Sequence, residues 1–362
     1  MKVIIAGGGT GGHLFPGIAI AEEFLKRDRA SDILFVGTKK GVEARVLPDL
    51  GFDLRTLDVE GIKGKGFVKI AGAIMKIPGS LIESCRLIRS FSPDIVIGVG
   101  GYASGPAVLA AHFMCIRTAI AEQNALPGIT NRILGRFVDR IFLTFPDTGK
   151  WFPEKKTVHS GNPVRAAFFT ATGKSEKKGG RFALLIFGGS QGARGINAAA
   201  VDALPFLAKI KDRLKIVHQT GSAGLDSISA AYRSHGMDAE VLPFIMDMAA
   251  AFGAADLLVC RAGATSIAEI TASGKASILI PFPQAVDDHQ TKNAEALVKA
   301  GAAFMIKEKD LNGRIFAEMI ERFFSHPEKI REMEARSKNL GNMHAAAYIV
   351  DTCLELLTGR NL

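Results

Sequence analysis

The chain has 362 residues, which is long for one domain and sufficient for two. Apolar residues make up 48% of it, so large cores can form, but no apolar run approaches the ~20 residues of a membrane-spanning helix. The formal net charge is +9, which suits nucleic acid, an anionic membrane or an anionic substrate. With one Trp and three Tyr a base-stacking surface is not expected, so we do not expect nucleic acid as a partner.

The cysteines and the N-terminus lead to an expectation about the compartment. The cysteines lack the spacing of metal sites or disulfide frameworks, so we expect reduced core thiols in a cytoplasmic protein. A buried-strand pattern starts at residue 2, and we therefore expect no signal peptide. The four cysteines are Cys85, Cys115, Cys260 and Cys353.

The chain opens with a glycine-rich stretch, MKVIIAGGGTGGHLFPG. Lys2 to Ala6 contains consecutive β-branched residues and is predicted to be a buried strand. Residues 7–12, which we call the first glycine turn, are glycine in five of six positions. A helix-like run begins after Pro16. A strand, such a turn and a helix N-terminus bring free N–H groups together, which suits a phosphate or a dinucleotide.

Predicted strands and helices alternate through the first half of the chain. Residues 98–105, which we call the second glycine turn, follow a buried strand and precede a helix. We expect the last strand of this half at 140–144 and a linker at 157–165. The other predicted strands are 32–36, 54–59, 93–99 and 118–121, and the predicted helices are 42–50, 107–113 and 130–137.

The opening pattern recurs after a polar loop at 170–180. A strand at 181–187 leads into residues 188–193, the third glycine turn, and then into a helix at 196–207. We therefore predict an α/β protein of two βα-alternating domains, each of which opens with a glycine turn. Further strands are predicted at 214–219, 239–242, 257–260 and 277–280, and terminal helices at 327–339 and 345–357, of which the last can pack on either domain.

Glycine or polar clusters fall at five predicted strand ends. Ligands of doubly wound sheets bind beyond the carboxyl ends of the strands. Two sheets that face one another would bring these clusters into one cleft. The clusters are residues 7–13, 98–105, 122–124, 188–191 and 261–269.

The cluster at 261–269 has two interpretations. A helix predicted to begin near Thr265 offers its N–H groups and the hydroxyls of Thr265 and Ser266 to a phosphate. Glu269 follows about one turn later, where a carboxylate can accept hydrogen bonds from the two hydroxyls of a ribose. The alternative is an ordinary capped helix in which Glu269 faces the macrodipole.

For several other polar residues the sequence allows both a functional and a structural role. Residues 287–293 include Gln290 and suit sugar hydroxyls or an ordinary helix cap. His13 follows the first glycine turn, which favours a role as base or donor. Arg165 can clamp a phosphate or lie at the surface. No Asp-x-Asp pair or His/Asp cluster has metal-ligand spacing, so we expect neither a metal nor another cofactor.

Residues 61–90 combine basic and apolar side chains. Six Lys or Arg stand against a single acid, Glu83, and apolar residues lie between them. Phe67, Ile70 and Ile74 share one face of a predicted helix. The segment can lie on an anionic bilayer. Alternatively, it forms a helix pair with an apolar face on the sheet and solvated lysines.

Eight short motifs occur in order along nearly the whole chain. Each is weak alone, but the ordered set is highly specific. The motifs are GGGTGGHLFPG (7–17), GVGGYASGP (98–106), EQN (122–124), GNPVR (161–165), GGSQGA (188–193), FIMDM (244–248), CRAGATSIAE (260–269) and DDHQTKNA (287–294). Together they resemble the bacterial undecaprenyl-diphospho-muramoylpentapeptide N-acetylglucosaminyltransferase family.

The resemblance implies a GT-B fold of two doubly wound Rossmann-like domains that face a central cleft. Residues 1–163 plus 341–362 would bind the acceptor and the membrane, and residues 164–340 would bind UDP-GlcNAc. The implied reaction is inverting transfer of GlcNAc from UDP-GlcNAc to the 4-hydroxyl of the muramoyl sugar in lipid I, which forms lipid II for peptidoglycan synthesis. The protein would be peripheral on the cytoplasmic face of the cell membrane through residues 63–89, with other cell-wall or division proteins as candidate partners.

The family's functional residues carry over onto matching positions. His13 is the candidate general base. Ile245 would meet uracil through its N–H and C=O, Glu269 the ribose, and Gln290 the sugar hydroxyls. Ala121 departs from the family, which often has His there, so any proton relay by that His is absent. The acceptor diphosphate would face Gly100, Gly101, Tyr102 and Ser104, and the donor would be held by Thr10, Gly11, Gly12, Asn124, Arg165, Ser190, Ile245, Ala264, Thr265, Ser266, Glu269 and Gln290.

Three alternatives remain at this point. A glycosyltransferase that makes glycosyl-diacylglycerol shares much of the pattern, although Gln290 favours the amino sugar. A nicotinamide dehydrogenase would need an acid near Gly37 and Thr38, and the adjacent sequence has none. The third alternative is a non-catalytic nucleotide-binding or membrane scaffold.

Overall fold

The chain forms two compact units in a computed structural model, the N-terminal unit (Met1–Arg165 and Met343–Leu362) and the C-terminal unit (Ala166–Asn342). The expectation of a cleft between the two sheets stays a prediction. The structure describes residues 1–39, 41–59, 67–170, 180–189, 191–285 and 288–359, with the backbone alone for 67–77.

The N-terminal unit is built on a parallel sheet. Val3, Ile4 and Ile5 are all fully buried, as expected for a strand that is covered on both faces. The strands are β1 (Lys2–Gly7), β2 (Asp32–Gly37), β3 (Asp53–Thr56), β4 (Ile95–Gly100), β5 (Arg117–Glu122), β6 (Arg140–Leu143) and β7 (Thr157–His159). Their order is β3-β2-β1-β4-β5-β6-β7, which places the carboxyl ends of β1, β4 and β5 side by side.

Helices alternate with these strands, and a C-terminal helix returns to the same unit. This last helix, α14 (Ala345–Thr358), packs against the first, and Arg27 pairs with Asp351 at 3.0 Å. The others are α1 (Gly11–Arg27), α2 (Glu43–Asp49), α3 (Phe67–Phe91), α4 (Ser104–Phe113) and α5 (Ile129–Leu134).

The predicted start of the first helix is wrong. The helix α1 begins at Gly11 rather than after Pro16. Thr10 is extended, and its carbonyl already accepts the N–H of Leu14 at 3.1 Å. The φ of proline is itself helical, so Pro16 continues the helix instead of starting it. The first glycine turn therefore leads directly into the first turn of α1.

Two further predictions for this unit are corrected. Residues 157–165 do not form a linker throughout, because Thr157–His159 is the edge strand β7, paired with β6. The described part of the basic segment is one helix, α3, with Pro78 inside it, rather than a helix pair. No helix in the described part of the chain is long and apolar enough to cross a membrane.

The C-terminal unit is a second parallel sheet. Strands β9, β10 and β11 have the predicted bounds, because each is an apolar run with β-branched residues. The short strand β13 was not predicted. The strands are β8 (Phe182–Phe187), β9 (Leu214–Gln219), β10 (Ala239–Leu242), β11 (Leu257–Cys260), β12 (Ser277–Leu279) and β13 (Phe304–Met305), in the order β10-β9-β8-β11-β12-β13.

The helices of this unit enclose one apolar core, to which Ile196, Ile216 and Ile320 contribute fully buried side chains. The helix α13 has the predicted bounds, whereas α12 was not predicted. They are α6 (Ala166–Thr170), α7 (Arg194–Asp202), α8 (Leu225–Ser234), α9 (Met248–Ala254), α10 (Ala264–Ser273), α11 (His289–Lys299), α12 (Gly313–Ser325) and α13 (Pro327–Asn339).

The four cysteines are unpaired, but they are not all core residues. Cys260 and Cys353 are buried and Cys85 is half-buried. Cys115 is exposed, so the expectation of a core thiol is wrong for this residue. It lies in the turn between α4 and β5 and has φ of 57°.

Candidate active site

The first and second glycine turns lie directly against each other, since β1 and β4 are neighbours. Gly7 pairs with Gly100, and the Gly8 N–H donates to the Gly100 carbonyl at 3.3 Å. A Cβ atom at Gly101 would overlap the Gly8 carbonyl. Gly100 and Gly101 have φ of 94° and 83°, which side chains rarely adopt. Glycine at these positions therefore allows the two turns to touch.

His13 lies beside these turns, at the start of α1. A Cβ atom at Gly100 would come within 2.5 Å of His13 Nδ1. The same nitrogen is 3.3 Å from Oε1 of Gln123, which is buried at the end of β5. Gln123 Nε2 donates to the Ala121 carbonyl at 3.3 Å, so the Gln123 oxygen faces the imidazole. In the neutral ring the proton is then on Nδ1, and Nε2 can accept a proton.

Glu122 fixes the loop that contains Asn124. Its carboxylate is buried and accepts hydrogen bonds from the Asn124 N–H at 3.0 Å and the Asn124 side chain at 3.2 Å. It also accepts from the Gly128 N–H at 3.0 Å and from Asn131 at 2.9 Å. Sequence reasoning named this cluster but did not assign the role of Glu122. The signal was an acid that ends a buried strand.

The predicted acceptor residues differ in accessibility. Tyr102 is 48% exposed, whereas Ser104 is fully buried at the start of α4. The Ser104 hydroxyl lies against Gly98, where a Cβ atom would overlap it. Tyr102 and the backbone of Gly101 are thus the accessible part of this set, and the Ser104 side chain is part of the packing beneath the turn.

Arg165 lies over an aromatic ring in the N-terminal unit. Its guanidinium carbon is 4.6 Å from the ring centroid of Phe15, on the first turns of α1. A Cβ atom at Gly11 would come within 3.0 Å of the same ring. The guanidinium is therefore held near the N-terminal end of α1, with Thr10, Gly11 and Gly12.

In the C-terminal unit, Gln219 holds the third glycine turn. Gln219 is buried at the end of β9, and its Nε2 donates to the Gly189 carbonyl at 2.7 Å. Its Oε1 accepts the N–H of Ile245 at 2.7 Å. The Ile245 N–H predicted to meet uracil is therefore already bonded within the protein. Ser190 lies outside the described residues.

A polar network supports this turn from below. His218 is buried, with Nδ1 3.0 Å from the Tyr232 hydroxyl and Nε2 3.2 Å from Asn197 Oδ1. Asn197 Nδ2 donates to the Thr220 carbonyl at 2.9 Å. Burial lowers the pKa of His218 to about 4 and raises the pKa of Tyr232. The imidazole is therefore neutral at pH 7.

The start of α10 has the strand-turn-helix arrangement that the sequence predicted. Gly263 is the extended N-cap, and no side chain caps the helix. Thr265 and Glu269 are buried, and Ser266 is half-buried. Burial, with a smaller contribution from the Glu269 charge, raises the pKa of Cys260.

Arg261 is a buried cation that sequence reasoning did not assign. Its guanidinium pairs with Glu308 and donates to the carbonyls of Ile280 at 3.1 Å and Pro281 at 3.2 Å. It thereby ties the end of β11 to the segment after β12. The available signal was an arginine directly after a buried strand.

Gln290 and Asn293 each bind a neighbouring loop through one polar atom of the side-chain amide. Gln290 Oε1 accepts the N–H of Phe282 at 3.0 Å, and Asn293 Nδ2 donates to the Ala262 carbonyl at 3.1 Å. The N-cap of α11, Asp288, accepts the Thr291 hydroxyl at 2.6 Å. Both the helix-cap interpretation and a sugar-binding role for the Gln290 NH₂ are compatible with this geometry.

The two doubly wound sheets, with glycine turns at the carboxyl ends of their strands, define a glycosyltransferase of the GT-B class. The glycosyltransferase family 28 N-terminal domain matches residues 3–143, and the family 28 C-terminal domain matches residues 183–349. A protein of Syntrophus aciditrophicus (strain SB) named UDP-N-acetylglucosamine–N-acetylmuramyl-(pentapeptide) pyrophosphoryl-undecaprenol N-acetylglucosamine transferase is 63% identical over 99% of both chains. This chain belongs to that transferase family, within glycosyltransferase family 28.

Two solved structures are similar over the whole chain. The crystal structure of Acinetobacter baumannii MurG has a TM-score of 0.72 and 31% identity, and the match covers 98% of this chain and 99% of that one. A UDP-GlcNAc 2-epimerase from Neisseria meningitidis bound to UDP-GlcNAc has a TM-score of 0.67 and 15% identity, with 98% and 100% covered. The second likeness shows the fold alone.

Proposed function

We propose that this protein transfers GlcNAc from UDP-GlcNAc to the 4-hydroxyl of the muramoyl sugar in lipid I, with inversion, to form lipid II. The observation that supports this most directly is the 63% identity over 99% of the chain to a transferase named for that donor and acceptor. The ordered motifs also lie at the carboxyl ends of the strands, where doubly wound sheets bind ligands.

Most of the donor contacts belong to the C-terminal unit in this proposal. The start of α10 presents N–H groups with Ala264, Thr265 and Ser266 to the diphosphate, and Glu269 accepts from the ribose. Gln290 retains its NH₂ for the sugar hydroxyls, because its oxygen is bonded to Phe282. Ile245 offers its carbonyl to uracil, and its N–H becomes available if Gln219 moves.

The remaining donor contacts are proposed for Asn124, which Glu122 holds in place, and for Arg165 and Ser190 at the diphosphate. Charge grows on the β-phosphate as UDP leaves, while the anomeric carbon acquires oxocarbenium character. A guanidinium and helix N–H groups stabilise such charge without rearranging during the reaction.

The acceptor role belongs to the second glycine turn and His13. Gly100, Gly101 and Tyr102 would face the acceptor diphosphate, with Ser104 beneath them. His13 would accept the proton of the attacking hydroxyl at Nε2, since Gln123 Oε1 favours the Nδ1–H tautomer.

We also propose that the protein is peripheral on the cytoplasmic face of the cell membrane. Part of the predicted segment 63–89 lies outside the described residues. A second apolar surface is described near it, namely Phe113, Ile129, Ile133 and Phe137, of which Ile129 is 72% and Phe113 68% exposed. The His112 ring lies between Phe113 and Phe137, at 5.7 and 5.6 Å. Arg132 on α5 and Arg136 in the turn that follows it are exposed and suit anionic lipid.

One assay tests the proposed transfer. Radiolabelled UDP-GlcNAc is incubated with a lipid I analogue or with diacylglycerol, in the presence and absence of EDTA. We expect labelled lipid only with the lipid I analogue. Label on diacylglycerol, or no labelled lipid at all, would contradict the proposal.

A vesicle assay tests the membrane surface. Ile129→Ser with Ile133→Ser removes exposed apolar area, so we expect co-sedimentation with anionic vesicles to fall about tenfold. The matched control is Phe206→Ser, an exposed Phe in the C-terminal unit. Equal loss in both variants, or binding that ignores anionic lipid content, would count against this surface.

A further inference from the structure

A buried carboxylate lies beneath the first glycine turn. Glu43, the first residue of α2, is fully buried. Its Oε2 accepts the N–H of Gly9 at 2.7 Å. Its Oε1 accepts the N–H of Thr38 at 2.8 Å and the Thr38 hydroxyl at 2.9 Å. One side chain therefore joins the segment after β1 to the end of β2.

Three glycines leave the space that this carboxylate occupies. A Cβ atom at Gly8 would lie 2.5 Å from Glu43 Cδ, and one at Gly37 would lie 2.6 Å from Glu43 Cγ. A Cβ atom at Gly41 would overlap the carboxylate itself. Gly8 follows β1, whereas Gly37 ends β2 and Gly41 lies on the connection from β2 to α2. A carboxylate that only began a helix would not require glycine on both segments, so this is a built site.

Glu43 also decides which amides of the first glycine turn can meet a ligand. The Gly8 N–H is bonded to the Gly100 carbonyl and the Gly9 N–H to Glu43. Among the residues that the structure describes, the amides of Thr10 and Gly11 have no protein acceptor. An anion at this turn is therefore restricted to the N-terminal end of α1.

The sequence showed no acid next to Gly37 and Thr38, yet α2 brings one to that place. We propose that Glu43 is a positioning residue for the acceptor. It holds Gly9 so that the Thr10 and Gly11 amides face the acceptor's anionic group, although the resemblance assigns these two residues to the donor. It also keeps His13, on the first turn of the same helix, towards the attacking hydroxyl. This inference rests on the proposed transfer to a lipid diphosphate acceptor.

A neutral amide is not equivalent to the carboxylate here. In Glu43→Gln, one of the two accepting oxygens becomes an NH₂ group. If the remaining oxygen stays on Thr38, the NH₂ faces the Gly9 N–H, and two donors repel each other. The turn then moves and displaces the α1 amides and His13. Glu43→Asp keeps the charge but is one methylene shorter, so it reaches only one of its two partners.

Steady-state kinetics of the full chain test the proposal. For Glu43→Gln and Glu43→Asp we expect the KM for a lipid I analogue to rise about tenfold, because the anion site is displaced. Binding of UDP, measured by calorimetry, should stay within about twofold of wild type, because most of the proposed nucleotide contacts lie in the other unit. Amide exchange at Gly9, followed by NMR, should speed up in both variants.

The matched control is Asp139→Ala. Asp139 accepts the N–H of Thr118 at 2.8 Å and the Thr118 hydroxyl at 3.2 Å, as Glu43 does with Thr38, but at the amino end of β5. We expect this variant to lose stability without a selective rise in acceptor KM. If Asp139→Ala and the Glu43 variants change acceptor KM equally, or if Glu43→Gln weakens UDP binding as much as acceptor binding, the proposal is wrong.

Failure of the proposed function has a separate readout. A wild-type protein that transfers nothing to lipid I would disprove that function, while Gly9 exchange would still report whether Glu43 holds the turn. Should Glu43→Gln not fold, Glu43→Asp provides the same comparison. Unchanged acceptor KM and unchanged Gly9 exchange in Glu43→Asp would overturn the inference.

Discussion

The two units hold their opening glycine turns with different side chains. In the N-terminal unit the carboxylate of Glu43 accepts the Gly9 N–H at 2.7 Å. In the C-terminal unit the amide of Gln219 donates to the Gly189 carbonyl at 2.7 Å and accepts the Ile245 N–H. A negative charge therefore lies beneath one turn and a neutral amide beneath the other.

This difference bears on where a nucleotide diphosphate binds. The carboxylate beneath the first turn opposes an anion at Gly8 and Gly9 and leaves only the N-terminal end of α1 for one, whereas the neutral amide beneath the third turn imposes no such restriction. The N-cap residues of α10 and α1, Gly263 and Thr10, both make no side-chain capping bond, so the helix starts do not distinguish the units. The two glycine-rich turns differ in the charge beneath them, in the direction that supports the proposed binding of UDP-GlcNAc by the C-terminal unit.

The largest expected effect separates chemistry in one unit from binding in the other. His13→Ala removes the proposed base, so we expect kcat to fall by about 10²–10⁴. UDP binding should stay within about twofold, because the proposed nucleotide contacts are elsewhere. Stopped turnover assays and calorimetry measure both quantities. Unchanged kcat would remove His13 from the mechanism.

The next effect is a pH dependence of the free energy of unfolding, caused by His218 beneath the third glycine turn. Folded His218 has a pKa of about 4, against 6.5 for the ordinary residue. Between these pH values the unfolded chain binds more protons than the folded one. The contribution of neutral His218 to the free energy of unfolding is therefore fully present above pH 6.5 and decreases as the pH falls towards 4. Between pH 7 and pH 4.5 the free energy of unfolding should fall by roughly 2–3 kcal/mol.

Denaturant unfolding at pH 7 and pH 4.5, followed by circular dichroism, measures this loss. In His218→Gln the pH dependence should weaken, since the titrating group is gone. His235→Gln, at an exposed histidine of the same unit, is the control and should behave like wild type. Equal pH dependence in all three proteins would show that burial of His218 is not its cause.

A charge change at Gln219 tests the comparison directly. Gln219→Glu places a carboxylate beneath the third glycine turn, as Glu43 does beneath the first, so UDP affinity should fall about tenfold. Gln219→Met removes the same hydrogen bonds without adding charge, and its loss should be smaller. Calorimetry with UDP measures both. Equal affinities in the two variants would show that charge beneath the turn does not matter.

The smallest expected effect is a change in the rate at which buried thiols are labelled, with one such thiol in each unit. Burial raises the pKa of Cys260 and of Cys353, so neither should react with a thiol reagent until its unit opens. Exposed Cys115 should react at once, and Cys115→Ser should remove this fast phase. We expect UDP to slow labelling of Cys260, in the C-terminal unit, about tenfold. Slower labelling of Cys353 instead would place UDP binding in the N-terminal unit.

Much of the fold was predictable because it depends on local patterns. The strand bounds 214–219, 239–242 and 257–260 were predicted from apolar β-branched runs. Short edge strands were missed, because three residues at β7 and two at β13 are too few for a periodic pattern. The start of α1 was misplaced because Pro16 was taken as a boundary, although proline also fits within early helical turns.

The candidate site was predictable only in part. The motifs identified candidate strand ends, and the structure places His13, which follows β1, against Gln123, which follows β5. The occupied N–H of Ile245 could not be foreseen, because its acceptor, Gln219, ends a different strand. The exposure of Cys115, in the turn between α4 and β5, was not predicted either.

By itself, the sequence determined the two βα-alternating units, the glycine turns and the family, because these follow from local periodicity and from an ordered set of motifs. Only the tertiary structure decided which turn amides are already bonded and what charge lies beneath each turn. The physical reason is that Glu43 meets Gly9, and Gln219 meets Gly189 and Ile245, between segments that follow different strands. Such contacts arise from the pairing order of the sheets, which no local stretch of sequence specifies.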